Sequence, residues 1–184
     1  MLRTTLLALA LAASWPALAQ QLVAPQSEIA FTSRQMGVPV DGRFRKFDAR
    51  VAFDPRKPEA GRVAFTIDLA SISMGAPESE AEVVKANWFD TARFPQATFE
   101  SSAIRAVGPG RYEVAGRLGI KGLQRDVVVP VTLSQSGPTT TASGSFVLRR
   151  LDFRIGDGEW GDTSLVADDV QVRFKLALTG VAPL

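Results

Sequence analysis

Apolar and polar residues alternate along most of the chain, and the alternation predicts strands. Ile29, Phe31 and Ser33 share one face of a first strand over Ser27–Arg34. A second strand over Gly42–Phe53 sets Phe47, Ala49, Val51 and Phe53 against Lys46, Asp48, Arg50 and Ala52. Phe44 falls one step out of that phase, and a bulge near Arg45 would restore it. The third strand, Arg62–Ser71, turns Val63, Phe65, Ile67 and Leu69 to one side. Further strands are predicted over Gln96–Val107 (Phe99, Ser101 and Ala103 on one face), Tyr112–Ile120, Val127–Leu133, Thr139–Arg149 (Phe146 and Leu148 together) and Asp168–Thr179 (Val170, Val172, Phe174, Leu176 and Leu178 together). Pro130 lacks an amide donor, so its strand should be bulged or edge-like there. Gly-Pro and Pro-rich turns separate the runs.

The alternation lapses once, from Glu78 to Ser101. Glu78–Ala86 reads as a helix of about two turns, acidic at its start and carrying Lys85 near its end, which matches the helix dipole. Trp88, Phe89 and Phe94 follow before Pro95, and a loop this apolar must be buried. The pattern predicts an all-β fold: an eight-stranded antiparallel barrel with one short helix and an aromatic loop inserted after the third strand. With strands of ten or more residues, such a barrel stands about 25–30 Å tall, and its narrow apolar interior suits a long, thin guest. The inserted segment is expected to lie over one end as a lid.

Residues 1–19 have the form of a secretory signal peptide, with Arg3, an apolar run at Leu6–Ala13 and a small-residue cleavage site at Ala17-Leu18-Ala19. Residues 20–184 then form one exported domain, periplasmic or secreted. Without Arg3 the chain carries 20 basic and 19 acidic side chains, so its isoelectric point of about 9.3 reflects an absence of buffering groups rather than a basic patch. No charge block argues for nucleic acid. With no His and no Cys, histidine-dependent triads, cysteine nucleophiles and disulfides are excluded, and zinc or copper would lack its usual ligands. Asp152, Asp157, Glu159 and Asp162 could assemble for acid–base work or hold a cation, but a solvated Gly-rich loop anchored by Trp160 is the better reading.

Five motifs, in order, carry a resemblance. They are Gly42–Asp48 with Val51–Pro55; Val63–Asp68 with Ser71-Ile72; Trp88-Phe89-Asp90 with Arg93–Ser101; Gly119–Gly122; and Leu151–Gly156. Together they resemble the YceI-like family of bacterial exported proteins across nearly all of residues 27–178. The resemblance implies a lipocalin-like barrel that binds polyisoprenoid-type lipids, quinones or polyprenyl phosphates among them, in an elongated pocket, with no established reaction. Many relatives carry a His in the first strand region and in the helix, where this chain has Gln26-Ser27 and Glu80–Val84. Any diphosphate chemistry of those histidines is absent here, which shifts the expectation toward a neutral head such as a quinone.

The chain is therefore expected to be a non-enzymatic carrier or scavenger of an isoprenoid lipid, with no cofactor beyond that ligand and with transient contact to a membrane or membrane protein. The alternative is an interaction module that delivers lipid to, or regulates, a membrane electron-transfer enzyme. Candidate pocket residues are Phe31, Phe44, Phe65, Ile67, Trp88, Phe89, Phe94, Phe99, Phe146, Phe153, Trp160 and Phe174. Candidate head contacts are Arg34, Lys85, Arg149 and Arg154.

Overall fold

The computed structural model describes residues 20–184, and the leader expected over residues 1–19 lies outside them. One antiparallel sheet contains every described strand. They are β1 (Gln21–Leu22), β2 (Glu28–Gln35), β3 (Val38–Phe44), β4 (Phe47–Ala52), β5 (Arg62–Asp68), β6 (Ile72–Ser73), β7 (Gln96–Gly108), β8 (Arg111–Ile120), β9 (Leu123–Ser136), β10 (Thr139–Arg149) and β11 (Asp169–Thr179). The pairing order runs β4-β5-β7-β8-β9-β10-β11-β2-β3-β6, with β1 added alongside β11.

The two ends of that order are one stretch of chain. β3 and β4 are separated only by Arg45-Lys46, and β5 and β6 only by the 3₁₀ turn Leu69–Ser71. The sheet therefore curls until its ends meet at a kink. Backbone bonds continue through it: Arg45 donates to the Ser71 carbonyl at 3.1 Å and Asp68 to the Lys46 carbonyl at 3.0 Å. The Ser71 hydroxyl also accepts from the Lys46 amide at 3.0 Å. The bulge expected near Arg45 is this kink. The eight predicted strands are the eight long passes of the curled sheet. The sequence pattern did not resolve the splits at the kink or the short strand β1.

Two strand details locate what the pattern left open: Pro130 is edge-like, as expected, and the bulges fall elsewhere. β9 runs unbroken past Pro130, in unbroken register with β8. Pro130 marks where β9 and β10 part, the last pair being Gly144↔Val131, because it has no amide to offer the neighbouring strand, so β9 is edge-like from there as expected. The bulges lie in β7, between Ser101 and Ala103 and between Ala106 and Gly108. The first shifts the phase, so Ile104 is buried and Ala103 is exposed.

Phenylalanine rings lie along the inner wall because their cross-strand partners have no side chain. Phe31 faces Gly42 and Phe174 faces Gly144. A Cβ at Gly42 would stand 2.2 Å from the Phe31 ring, and one at Gly144 would stand 2.6 Å from the Phe174 ring. The rings thus lie against the wall, leaving the axis of the barrel open.

The inserted segment holds one helix, α1 (Pro77–Val83), which starts on Pro77 and ends three residues short of the expected Ala86. The Glu80 carboxylate accepts the amides of Met74 at 2.7 Å and Gly75 at 3.1 Å, fixing the chain's entry into the helix. Those backbone donors favour the charged form and hold Glu80 below its ordinary pKa. Past Val83 the chain folds into consecutive turns, closed by Phe89 donating to the Val83 carbonyl and Phe94 to the Asp90 carbonyl.

Candidate functional site

Two cavities fill the axis of the barrel. The larger, about 370 Å³, lies at the end covered by α1, and Phe31, Phe44, Ile72, Val83, Trp88, Phe89, Ile120, Leu148 and Trp160 are among its lining residues. The smaller, about 170 Å³, lies toward the other end among Phe53, Phe65, Phe99, Ile104, Tyr112, Phe174 and Leu176. Ile29, Ile67, Leu118, Phe146 and Val172 border both and form a waist between them. The wall of the smaller cavity is apolar apart from Thr140 and Tyr112. The larger has the size of a small-molecule pocket, typically ~300–1,000 Å³.

Ten of the twelve predicted pocket residues line this interior. Phe31, Phe44, Trp88, Phe89 and Trp160 border the larger cavity; Phe65, Phe99 and Phe174 border the smaller; and Ile67 and Phe146 border both. Phe94 and Phe153 line neither. Phe94 lies outside, packed over Gly122 in the β8–β9 turn, with the Arg93 guanidinium 5.2 Å from its ring centroid. Phe153 is buried in the 3₁₀ turn Arg150–Phe153, which follows β10 where β9 and β10 have parted, and the Arg125 guanidinium lies 5.9 Å from its ring. It wedges the wall and leaves the lumen to others.

The lid has two parts. Asn87 supplies the joint, its carbonyl accepting the amides of Gly156 at 2.8 Å and Asp157 at 3.0 Å. This fastens the aromatic loop to the loop that follows β10 and brings Trp88 and Trp160 together, with ring centroids 5.6 Å apart and planes at 46°.

Beneath them is Arg150, only 1 % exposed. Nε donates to the Ala167 carbonyl (3.0 Å), Nη1 to Ile155 and Gly156 (2.8 and 2.7 Å), and Nη2 to Trp160 and Val166 (2.7 and 2.6 Å). All five guanidinium donors are thus spent on backbone carbonyls. Burial draws its pKa down, with Asp168 partly opposing the shift. The guanidinium also lies 5.9 Å from the Trp88 ring centroid. Arg150 ties the loop after β10 to the end of that strand, with the Trp88 ring of the aromatic loop beside it.

Arg150 was missed as a site residue, although it continues the inward phase of Phe146 and Leu148. The four predicted head contacts lie elsewhere. Arg149 pairs with Asp168 at 3.1 Å, Lys85 pairs with Glu82, the Arg34 guanidinium reaches the Gly37 carbonyl, and Arg154 is exposed in a left-handed turn. None of them lines either cavity.

The carboxylates after β10 do not converge. Asp162 caps a turn by accepting from Ser164, whose side chain first and backbone amide second hold its pKa below the ordinary value, and Asp157 faces Lys121 at 3.8 Å. Among the described residues no three His, Cys, Asp or Glu side chains stand close enough to share a metal ion.

A lumen of this shape under an aromatic lid, with the motifs in their order, agrees with the family comparison. The YceI-like domain model matches residues 21–178. The chain belongs to the YceI-like family. Among solved structures it is similar to BcnA of Burkholderia cenocepacia, at 45% identity and a TM-score of 0.83, covering 85% of this chain and 98% of that one. It shares the fold of a polyisoprenoid binding domain from Saccharophagus degradans implicated in plant cell wall breakdown, with 21% identity and a TM-score of 0.72 over 90% of this chain and 99% of that one. Among curated relatives, a UPF0312 protein of Azotobacter vinelandii is 33% identical over 88 residues, which are 48% of this chain and 46% of that protein. The match thus spans about half the length of such relatives.

Proposed function

We propose that this YceI-like domain holds an elongated isoprenoid lipid inside its barrel and acts as a carrier or scavenger, with no reaction of its own. The observation that carries the reading is the pair of largely apolar cavities inside the barrel, which share five lining side chains. Burying each CH₂-sized group of a prenyl chain there yields about 0.8 kcal/mol before ordering costs, with no demand for directional contacts. The polyisoprenoid binding domain of similar fold adds support. In this reading the chain is exported, its leader being the basic and apolar stretch over residues 1–19, and works in the periplasm or outside the cell.

One end of the barrel suits exchange with a bilayer. Met36, Val38 and Leu165 are 70%, 62% and 42% exposed. Their strands and loop continue directly from Ser33, Gln35, Val40 and Val166, which line the larger cavity. An apolar rim at a cavity mouth can dip into a lipid surface while the guest passes between them. Delivery of lipid to a membrane enzyme would use the same face.

The test is to purify the protein, extract it with organic solvent and identify the extracted species by mass spectrometry. The expected result is co-purifying prenyl lipid, or stoichiometric uptake of added prenyl lipid by emptied protein. A protein that neither carries nor takes up prenyl lipid would end the reading.

A further inference from the structure

The chain is nearly neutral overall, but the fold gathers a local excess of positive charge. Where β3 hands over to β4, a hollow of about 550 Å³ opens on the outer wall, with Arg43, Arg45, Lys46, Phe44, Phe47 and Glu28 among its lining residues. In a straight strand Arg43 and Arg45 share one face and Lys46 turns to the other. The kink at Arg45-Lys46 breaks that alternation, so all three cations border the same hollow.

These cations are uncommitted. Among the described residues none of the three has a carboxylate within ion-pair distance, whereas Arg105, Arg117, Arg149 and Arg173 elsewhere on the wall each have one. Of their side-chain donors one is engaged, from Arg45 to the Ser73 hydroxyl. Arg45 is near enough to Glu80 to favour its ionised form without pairing with it. Like charges held side by side repel, and an anion seated between them relieves that repulsion.

Shape and charge narrow the occupant. A hollow admits a compact group, whereas a bilayer surface is flat. Three cations against Glu28 leave two positive charges in excess. A phosphomonoester carries about −1.5 to −2 charge at neutral pH, and its oxygens accept paired N–H bonds from a guanidinium fork. A monocarboxylate would match only half of that excess. Phe44 and Phe47 offer apolar wall to the organic part of such a molecule.

We propose that the hollow at the β3–β4 kink binds a small soluble phosphomonoester, with Arg43, Arg45 and Lys46 as its contacts. The site lies outside the lumen and does not depend on what the lumen holds.

Calorimetric titration at physiological ionic strength tests it, with glycerol 3-phosphate as the probe and glycerol and acetate as controls. Glycerol 3-phosphate should bind stoichiometrically and the controls should not. Arg43→Gln, Arg45→Gln and Lys46→Gln should each weaken binding by about tenfold, the loss of one charge-assisted contact. Arg105→Gln removes the same charge from β7 and should leave affinity within about twofold. All four side chains are exposed, so melting temperatures should stay near the wild-type value. Backbone amide resonances of residues 43–47 should shift as glycerol 3-phosphate is added to the wild type. No binding, unchanged resonances, or an equal loss in Arg105→Gln would overturn the site. So would binding to phosphatidic acid vesicles that requires the three cations while glycerol 3-phosphate fails to bind, because the patch would then be a membrane contact.

Discussion

Phe31 and Gly42 are cross-strand partners, and the Phe31 ring occupies the space where a side chain at 42 would begin, its Cζ 2.2 Å from an ideal Cβ. Gly42→Ala should therefore force the ring away from the wall and toward the lumen. Overpacking of this kind costs about 1–3 kcal/mol. Denaturant unfolding should show that loss, and lipid capacity should fall in parallel; a variant with unchanged capacity would mean that the ring finds room elsewhere.

Arg150 holds five carbonyls that no other side chain reaches. Arg150→Met should strand them and destabilise the protein by more than about 3 kcal/mol. Arg150→Lys can satisfy at most three and should fall between the two. Urea midpoints rank the three proteins, and equal midpoints for Lys and Met would mean that water replaces the guanidinium freely.

The waist predicts a length rule. Ile67→Trp should fill the passage between the cavities, shortening the longest prenyl chain retained while sparing short ones. Mass spectrometry of lipids captured from a mixture of chain lengths reads this directly. Uniform loss at all lengths would point instead to a distorted barrel.

Glu80 predicts an acid-side pH dependence. Its folded pKa lies below the ordinary 4.5 because the Met74 and Gly75 amides donate to the carboxylate. Its stabilising contribution is complete above that value and is lost as the pH falls toward the lower folded value. Melting temperatures of wild type and Glu80→Gln should differ at neutral pH and converge in acid. With no His or Cys, no side chain with an ordinary pKa titrates between about pH 6 and 8, so the melting temperature should be flat there.

The exposed rim predicts a kinetic effect. Met36→Ser with Val38→Ser should slow lipid transfer to neutral vesicles by about tenfold, corresponding to about 1.4 kcal/mol of lost apolar contact, and leave equilibrium affinity unchanged. Stopped-flow transfer of a fluorescent prenyl lipid distinguishes the two quantities.

Most of the lumen was legible in the sequence because a strand's two-residue period fixes which side chains turn inward. Tyr112, Val114, Leu118 and Ile120 point to the interior as their alternation requires. The β7 bulge broke that logic: an extra residue after Ser101 exchanged Ala103 for Ile104, and no local residue type announces it. Phe94 lies on the other side of the wall, which apolar character alone does not specify, and Phe153 packs in the core beside Leu118 and Ile120 without lining either cavity. Arg150 was readable from its phase with Phe146 and Leu148, but a cation at an inward position conflicts with hydrophobic patterning. Its carbonyl partners come from a loop whose path alternation cannot give. The meeting of Trp88 and Trp160 likewise depends on Asn87 clasping a distant loop, a contact without periodicity.

The closure of the sheet sets an order in time. The last strand, β11, pairs with β2, and a hydrogen bond from the Ala177 amide to the Ser27 hydroxyl spans 150 residues of chain. Until the C-terminal strand docks, Val172 and Phe174 are missing from the wall and no lumen exists. Contacts so distant in sequence form slowly. A growing chain can therefore hold no guest, and on the lipid-binding reading loading must wait until the whole domain has been released and closed.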